Sequence, residues 1–465
     1  MKWSPFLAVV WLMTLSGCSL IPEYHRPDTP MTQTFKEDGS WHYANPSDQS
    51  KRGQWWLVFN DDLLAKLEGQ LETGSLQLAE ALARYDQAAA YLSGQDALLY
   101  PQINAVGGLG QNRESINRPL RGANLPNYFS NQTLALASTY EIDFWGQIRS
   151  AVTSAENLAA ASKADVESVR LSLQAALAAE YVQLRGLDAQ IRLFTDSIEA
   201  YKSELQLMQR RHDQGIVSGL DVARSQTLLE ETQAQMMHVT AKRALHEHAI
   251  AALLGQTPSA FSIPAGEMPP VYPNIPATVP SEVLQRRPDI AAAERRVQAA
   301  NAEIGVARAA FFPEISLGAI GGFMNTGGAG LLTAPNSFWS VGPLAFFNIF
   351  DAGLREAAVH QAEAKTREVT ASYRLTVLDA FREVEDNLAL LHYLADEDKH
   401  QHLAVDAARH TWDLANNRYR EGAVSYLEVI DAENAKLRTE REELDVQTSR
   451  LEATVGLVRA IGGDW

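Results

Sequence analysis

Apolar residues recur at steps of three and four along most of this chain, a spacing typical of helices with one buried face. The pattern predicts two very long helices over residues 147–212 and 354–419, neither of which contains a proline. At a rise of about 1.5 Å per residue, each would be on the order of 100 Å long. Asp61 or Asp62 is expected to cap an earlier helix, which Pro101 ends. The other predicted helices cover residues 61–99, 220–254, 281–310 and a last segment that ends at residue 461.

Four shorter segments alternate between apolar and polar residues, and this period of two predicts strands. Glycine-rich loops connect them in pairs. The predicted strands cover residues 102–112, 133–142, 314–323 and 337–350.

The second half of the chain repeats the first. Residues 211–222 match residues 418–429 at an offset of 207, and residues 144–149 match residues 350–355 at an offset of 206. Agreement at a nearly constant offset predicts an internal duplication. The predicted units are residues 61–254 and 281–465, joined by a linker over residues 255–280 that contains seven prolines.

Four strands of about ten residues cannot close a barrel alone, and lipid does not tolerate an open sheet edge. Bacterial barrels start at about eight strands, so several chains must pool their strands. Three copies give twelve strands and a lumen wide enough for a solute. The predicted fold is therefore mainly α with a membrane β-barrel. An elongated periplasmic coiled-coil scaffold without a pore is the alternative; it explains the long helices but not the paired strands.

The N-terminus predicts secretion and lipidation. Residues 1–17 have the charged start and short apolar core of a signal peptide, and Leu15-Ser16-Gly17-Cys18 matches the lipobox of bacterial lipoproteins. Cys18 would then carry acyl chains and begin an extended leader over residues 18–60, and Ser19 favours the outer membrane. A chance cysteine behind an ordinary secretory signal is the simpler alternative.

Charge and composition exclude several functions. A formal net charge of −17 argues against nucleic acid. Cys18 is the only cysteine, which excludes intrachain disulfides and zinc sites built on cysteine pairs. The histidines of His246-Glu247-His248 lie two apart and point to different faces of a helix, so a solvated surface is the expected role of this segment. The glycines over residues 318–330 lack the ending of a phosphate loop. We predict no enzyme, cofactor or metal.

The residues also resemble a known family. The segment of residues 286–313, the pair Trp55-Trp56 and residues 348–353 resemble the TolC/OprM-type outer membrane factors, and most closely the lipoprotein subgroup that serves RND-type drug pumps. The similarity covers essentially the whole mature chain.

The resemblance implies a homotrimer with a 12-stranded outer-membrane barrel continuous with a long periplasmic α-helical barrel. Its implied function is the exit duct of a tripartite efflux system for drugs or other small molecules. The implied partners are a periplasmic adaptor, an inner-membrane RND-type transporter and outer-membrane lipid. An exit duct for type I secretion is the alternative within the same family.

The resemblance further implies that the turns within residues 211–221 and 418–428 form the periplasmic entrance and dock the adaptor. Val424 departs from relatives that have an arginine there, so any latch at this entrance must differ in detail. The implied docking residues are Gly215, Val217, Ser218, Gly422, Val424 and Ser425, and the implied gate residues are Glu428, Asp431, Asp221 and Tyr419.

Overall fold

The computed structural model describes residues 19–29, 36, 53–117, 127–269, 287–327 and 330–463. The predicted signal peptide, Cys18 and the second half of the proline-rich linker lie outside these residues. The described residues form two compact units. One contains the residues up to Pro27, Arg84–Ser162 and Ala292–Tyr373, and the other contains the described residues of Asp28–Ala83, Lys163–Ala291 and Arg374–Trp465.

The first predicted helix is interrupted, so the expectation of one helix to Leu99 is wrong. Helix α1 covers Asp62–Gly74 and α2 covers Leu76–Ala97, with Ser75 extended between them. A side chain at Gly74 would lie 2.6 Å from the carbonyl oxygen of Leu254. Close packing against the end of another helix therefore requires glycine at this position, and the Ser75 hydroxyl oxygen accepts the N–H of Leu78 (3.5 Å) where α2 begins.

Of the two candidates that the sequence offered, Asp61 and Asp62, Asp61 caps the N-terminus of α1. Its Oδ1 accepts hydrogen bonds from the N–H groups of Leu63 (2.9 Å) and Leu64 (3.0 Å). Its Oδ2 accepts a further bond of 2.7 Å from the hydroxyl of Tyr181, whose ring is fully buried. The cap thus also fixes α1 against the long helix that carries Tyr181.

The long helices agree closely with the predictions. Helix α3 covers Gln147–Asp213 and α6 covers Leu354–Arg420, and each has 67 residues. Each is followed by a tight turn and a second helix, α4 over Gly219–Leu253 and α7 over Tyr426–Ile461. Helix α5 covers Pro288–Ala309. Within the described ranges, no helix is both long enough and apolar enough to cross a membrane.

The four predicted strands form one antiparallel sheet in the order β1-β2-β3-β4. The two hairpins join through β2 and β3, with Leu136 opposite Gly321. Outer strands β1 and β4 pair on one side only among the described residues. Large apolar side chains are open to the surroundings, for example Leu109 (84% exposed) and Trp339 (79%). The strands cover Gln102–Arg113, Tyr128–Glu141, Glu314–Asn325 and Ser337–Phe346.

Residues with left-handed backbone recur at the offset of the sequence match. Gly215 (φ +72°) corresponds to Gly422 (φ +75°) at an offset of 207. At an offset of 206, Gly146 (φ +75°) corresponds to Ala352 (φ +53°), an alanine in a conformation that costs a side chain about 1–2 kcal/mol. The backbone thus repeats a turn that local sequence alone would not select at Ala352.

Candidate functional site

The turn between α3 and α4 is closed by a glycine in a left-handed conformation. The N–H of Gly215 donates to the carbonyl of His212 (2.8 Å), and the N–H of Ile216 donates to that of Arg211 (2.9 Å). This pair of bonds caps the C-terminal end of α3 and needs positive φ at its central residue. Of the predicted docking residues here, Gly215 and Ser218 are exposed and Val217 is half-buried.

The turn between α6 and α7 has the same construction. Gly422 donates to the carbonyl of Tyr419 (2.9 Å), and Ala423 donates to that of Arg418 (2.8 Å). Gly422 and Ser425 are exposed, and Val424 is half-buried.

The helices that leave the two turns are capped differently. Before α4, the Ser218 side chain accepts a hydrogen bond from the Asp221 N–H, and the Asp221 carboxylate accepts bonds from the Ser218 N–H (3.3 Å) and hydroxyl (2.8 Å). Before α7, Ser425 makes no such side-chain bond. Glu428, which corresponds to Asp221, is therefore not used as a cap.

Glu428 and Asp431 are both exposed and lie three residues apart on α7. At that spacing both side chains can face one side of the helix. Neither carboxylate has a hydrogen bond or an ion pair with any described residue. They are a pair of uncompensated negative charges immediately behind the second turn.

An apolar cluster brings the two turns together. The Tyr419 and Tyr426 rings lie 5.4 Å apart, and the Tyr419 hydroxyl contacts the sulfur of Met208 (3.7 Å). Tyr419 thus packs into this cluster, while Asp221 is engaged in its helix cap. The cluster contains Met208, Tyr426, Val429 and Ile430, with Val217, Val222 and Tyr419 packed against it.

Two carboxyl groups that the sequence analysis did not single out lie behind this cluster. Glu433 on α7 is 7% exposed, and its Oε1 accepts a hydrogen bond of 3.1 Å from the Trp412 indole. Burial and the neighbouring Glu204 on α3 raise the pKa of Glu433 to about 8. Burial likewise raises the pKa of Glu204. The available signal was the apolar stripe of α7, in which Glu433 occupies a position expected to be hydrophobic.

A buried ion network holds the start of the proline-rich linker. The Asp188 carboxylate binds Arg185 (2.9 Å) and Arg243 (2.7 Å) and accepts the N–H of Gly266. Glu247 binds Arg243 (2.6 Å) and accepts the N–H of Ile263 (2.7 Å). The expected solvated role is thus wrong for Glu247, whose side chain is only 15% exposed.

The comparison with protein families decides what kind of protein carries these features. The profile of the outer membrane efflux protein family matches residues 68–256 and again residues 279–463. The chain belongs to the outer membrane efflux protein family. This confirms the resemblance, and it places the chain among outer-membrane channels rather than enzymes.

Individual relatives match over almost their whole length. The chain is 30% identical to the probable efflux pump outer membrane protein TtgC of Pseudomonas putida, over 97% of this chain and 93% of that protein. It is also 30% identical to the probable outer membrane lipoprotein SilC of Salmonella typhimurium, over 99% and 98% of the two chains. A solved structure of the outer-membrane channel OprN superposes with a TM-score of 0.87 at 29% identity, covering 96% of this efflux protein and all of that chain.

Proposed function

We propose that three copies of this chain pool their sheets into a twelve-stranded barrel in the outer membrane, continuous with a periplasmic tunnel of long helices. The observation that carries this proposal is the open four-stranded sheet, in which β1 and β4 pair on one side only and apolar side chains are exposed. Strand edges facing lipid leave unpaired N–H and C=O groups at several kcal/mol each, which pairing between protomers removes.

The repeated left-handed turns and the double family match support an internal duplication as the origin of the paired hairpins. We assign the repeats to residues 61–254 and 281–465, on either side of the 255–280 linker. Residues 1–17 are assigned to the signal peptide and residues 18–60 to the leader. The similarity to SilC, a probable outer membrane lipoprotein, supports lipidation at Cys18.

The assembled chain acts as the exit duct of a tripartite efflux system. An inner-membrane RND-type transporter supplies the energy, and a periplasmic adaptor connects it to the duct. The names of TtgC and of other relatives as outer-membrane components of efflux pumps support this role. The two exposed turns, including Gly215, Ser218, Gly422 and Ser425, provide the adaptor contact at the periplasmic end.

Glu428 and Asp431 form rings of negative charge at this entrance. A threefold axis brings three copies of each carboxylate around one opening, where like charges repel and attract cations. Their exposure, and the absence of a partner for either carboxylate among the described residues, support this role. Asp221 and Tyr419 lie close to the same end and are assigned to contacts between neighbouring elements when the entrance is closed.

Planar-bilayer recording tests the duct and the gate. The Glu428→Ala/Asp431→Ala variant is expected to conduct, to lose cation preference and to become less sensitive to block by multivalent cations. The matched control is Glu230→Ala/Glu231→Ala, which removes two exposed carboxylates from α4. Reversal potentials in a salt gradient that stay at the wild-type value would contradict the gate assignment. Trimers without any single-channel steps, even in the gate variant, would favour the non-conducting scaffold.

A further inference from the structure

The Glu204–Glu433 pair is enclosed by four helices of the second unit. Glu204 lies on α3 and Glu433 on α7, and Trp412 of α6 donates its indole N–H to Glu433 Oε1 at 3.1 Å. On the other side, the Tyr426 hydroxyl interacts with Glu204 and lies 2.6 Å from the hydroxyl of Ser225 on α4. Side chains of α3, α6 and α7 thus meet at this pair, and Ser225 of α4 is connected to it through the Tyr426 hydroxyl.

The hydrogen bonds of the cluster are complete only if the pair holds one proton. Ser225 can donate to Tyr426, and Tyr426 can donate to an ionised Glu204. Glu433 Oε2 is buried and accepts no hydrogen bond. An ionised oxygen there would be desolvated and would face a second carboxylate, which is costly. A protonated Oε2 instead donates to Glu204, and a charge-assisted bond of this kind is among the stronger ones.

The other charged and titratable groups nearby do not remove the need for this proton. Tyr201 of α3 is buried, and its pKa is raised by burial and by Glu433. Lys436 of α7 lies over the Trp412 ring, 4.4 Å from its centroid, and has only a weak opposing effect on Glu433. Glu440 is paired with Arg409 of α6 at 2.7 Å. None of these groups supplies a cation at Glu433 Oε2.

We propose that Glu204 and Glu433 share one proton, and that this proton latches α7 to α3 directly behind the two turns. Loss of the proton places two carboxylates together in a buried site, and the least costly relief is local separation of α7. The latch is strongest at acidic pH and weakens progressively as the pH rises from the usual carboxyl pKa of 4.5 towards about 8, the pKa of Glu433 in the folded chain. The sign follows because the latched state binds one proton more than the opened state.

Hydrogen exchange of the backbone amides around residues 426–437 measures the latch in the assembled protein. After correction for intrinsic exchange rates, wild-type protection is expected to fall by up to about tenfold per pH unit between about pH 6 and 8. Glu204→Gln/Glu433→Gln should remove this dependence, since neither amide ionises. Glu199→Gln is the matched control, because Glu199 is exposed on α3 and its carboxylate makes no hydrogen bond or ion pair with a described residue, while its backbone carbonyl accepts the Ser203 hydroxyl in either variant. Wild-type protection that does not change with pH, or a wild-type dependence in the double variant, overturns the proposal.

Infrared difference spectra at about neutral pH test the proton itself and do not require the double variant to assemble. Glu433→Gln alone keeps an oxygen for the Trp412 hydrogen bond and should lose the carbonyl band of a protonated carboxylic acid. Glu68 on α1 is fully buried, and burial raises its pKa to about 9, so its carboxylic acid band is present in both proteins and cancels in the difference. An unchanged band refutes the shared proton.

The effect on transport rests on the proposed channel, whereas these two measurements do not. If the channel proposal holds, wild-type openings in bilayers should become more frequent with rising pH, and those of the double variant should not. Exchange that depends on pH in a protein without conductance would count against the channel and leave the latch in place.

Discussion

Most substitutions lower the free energy of unfolding, but a substitution at Glu68 is predicted to raise it. Its side chain on α1 is fully buried, and neither carboxyl oxygen has a hydrogen-bond partner among the described residues. Burial, with a smaller contribution from the negative charge of Glu72, raises its pKa from 4.5 to about 9. The folded chain must therefore carry a proton on Glu68 at neutral pH, whereas the unfolded chain does not. We predict that Glu68→Gln stabilises the protein.

The magnitude follows from the proton balance. A carboxyl group whose pKa is higher in the folded than in the unfolded chain costs no stability at a pH below its unfolded pKa. Stability is lost as the pH rises from the unfolded pKa towards the folded pKa. Each pH unit in this window costs about 1.4 kcal/mol. From 4.5 to neutral pH, the wild type therefore loses about 3 kcal/mol that the glutamine variant retains. Any pKa of Glu68 well above 7 in the folded chain gives the same loss of stability at neutral pH.

Urea unfolding of the detergent-purified protein, followed by circular dichroism from about pH 5 to 9, provides the assay. The stability gained by Glu68→Gln should grow with pH and nearly vanish at the acidic end. Glu72→Gln is the control on the same helix. It removes an acceptor for Arg170 (3.2 Å) and Gln174 (2.9 Å) and should cost up to about 1 kcal/mol. A gain for Glu68→Gln that is absent, or equal at every pH, would refute the assignment of a buried neutral carboxyl.

Two further predictions concern the turn and the core. Gly422→Val places a β-branched residue at φ +75° and should impair export more than trimer yield, while Gly422→Asn should be tolerated. Export is scored as the drug tolerance of a host that has the pump and adaptor but lacks its own outer-membrane channel; equal loss of export and trimer would mean that the turn serves folding only. Arg287→Leu leaves Asp289, 2.7 Å from the guanidinium, without its cation, and leaves Glu383 (also 2.7 Å) only its longer contact with Arg459 (3.3 Å). The substitution should lower the free energy of unfolding by roughly 2–3 kcal/mol in urea titrations; wild-type stability would show that these bonds contribute nothing net.

Local chemistry was sufficient to predict the long helices, the strands and both turns. The helices follow from spacing and the absence of proline, and the two turns follow from Gly215 and Gly422, which supply the positive φ that each turn requires. The break at Ser75 was missed, although Gly74 followed by Ser75 is a local signal for the end of one helix and the start of another. The Ser75 hydroxyl oxygen accepts the N–H of Leu78 (3.5 Å) at the start of α2. The contact of Gly74 with Leu254, 180 residues away, could not be predicted from the local sequence.

Buried charge was the other feature that the sequence did not reveal. Arg185 and Asp188 are spaced like an ordinary surface ion pair on a helix, yet both are almost fully buried. Only the fold shows that Arg243 and the linker backbone complete their hydrogen bonds. Glu433 left a visible signal, because it interrupts the apolar stripe of α7, but its partner on α3 could not be identified without the tertiary structure.

The comparison of the two turns also bears on the proposed gate. Their backbones are closed by the same pair of hydrogen bonds, so the acidic residue at the third position of the following helix starts from the same place in both. Asp221 folds back and caps its own helix, which neutralises part of its charge and fixes its side chain. Glu428 has one more methylene, makes no cap and keeps its charge free in solvent. The two matching turns therefore differ in function: the acidic residue stabilises its helix in the first turn, and in the second it leaves a free negative charge. This difference explains why Glu428, and not Asp221, is the better candidate for a charged ring that acts on passing ions.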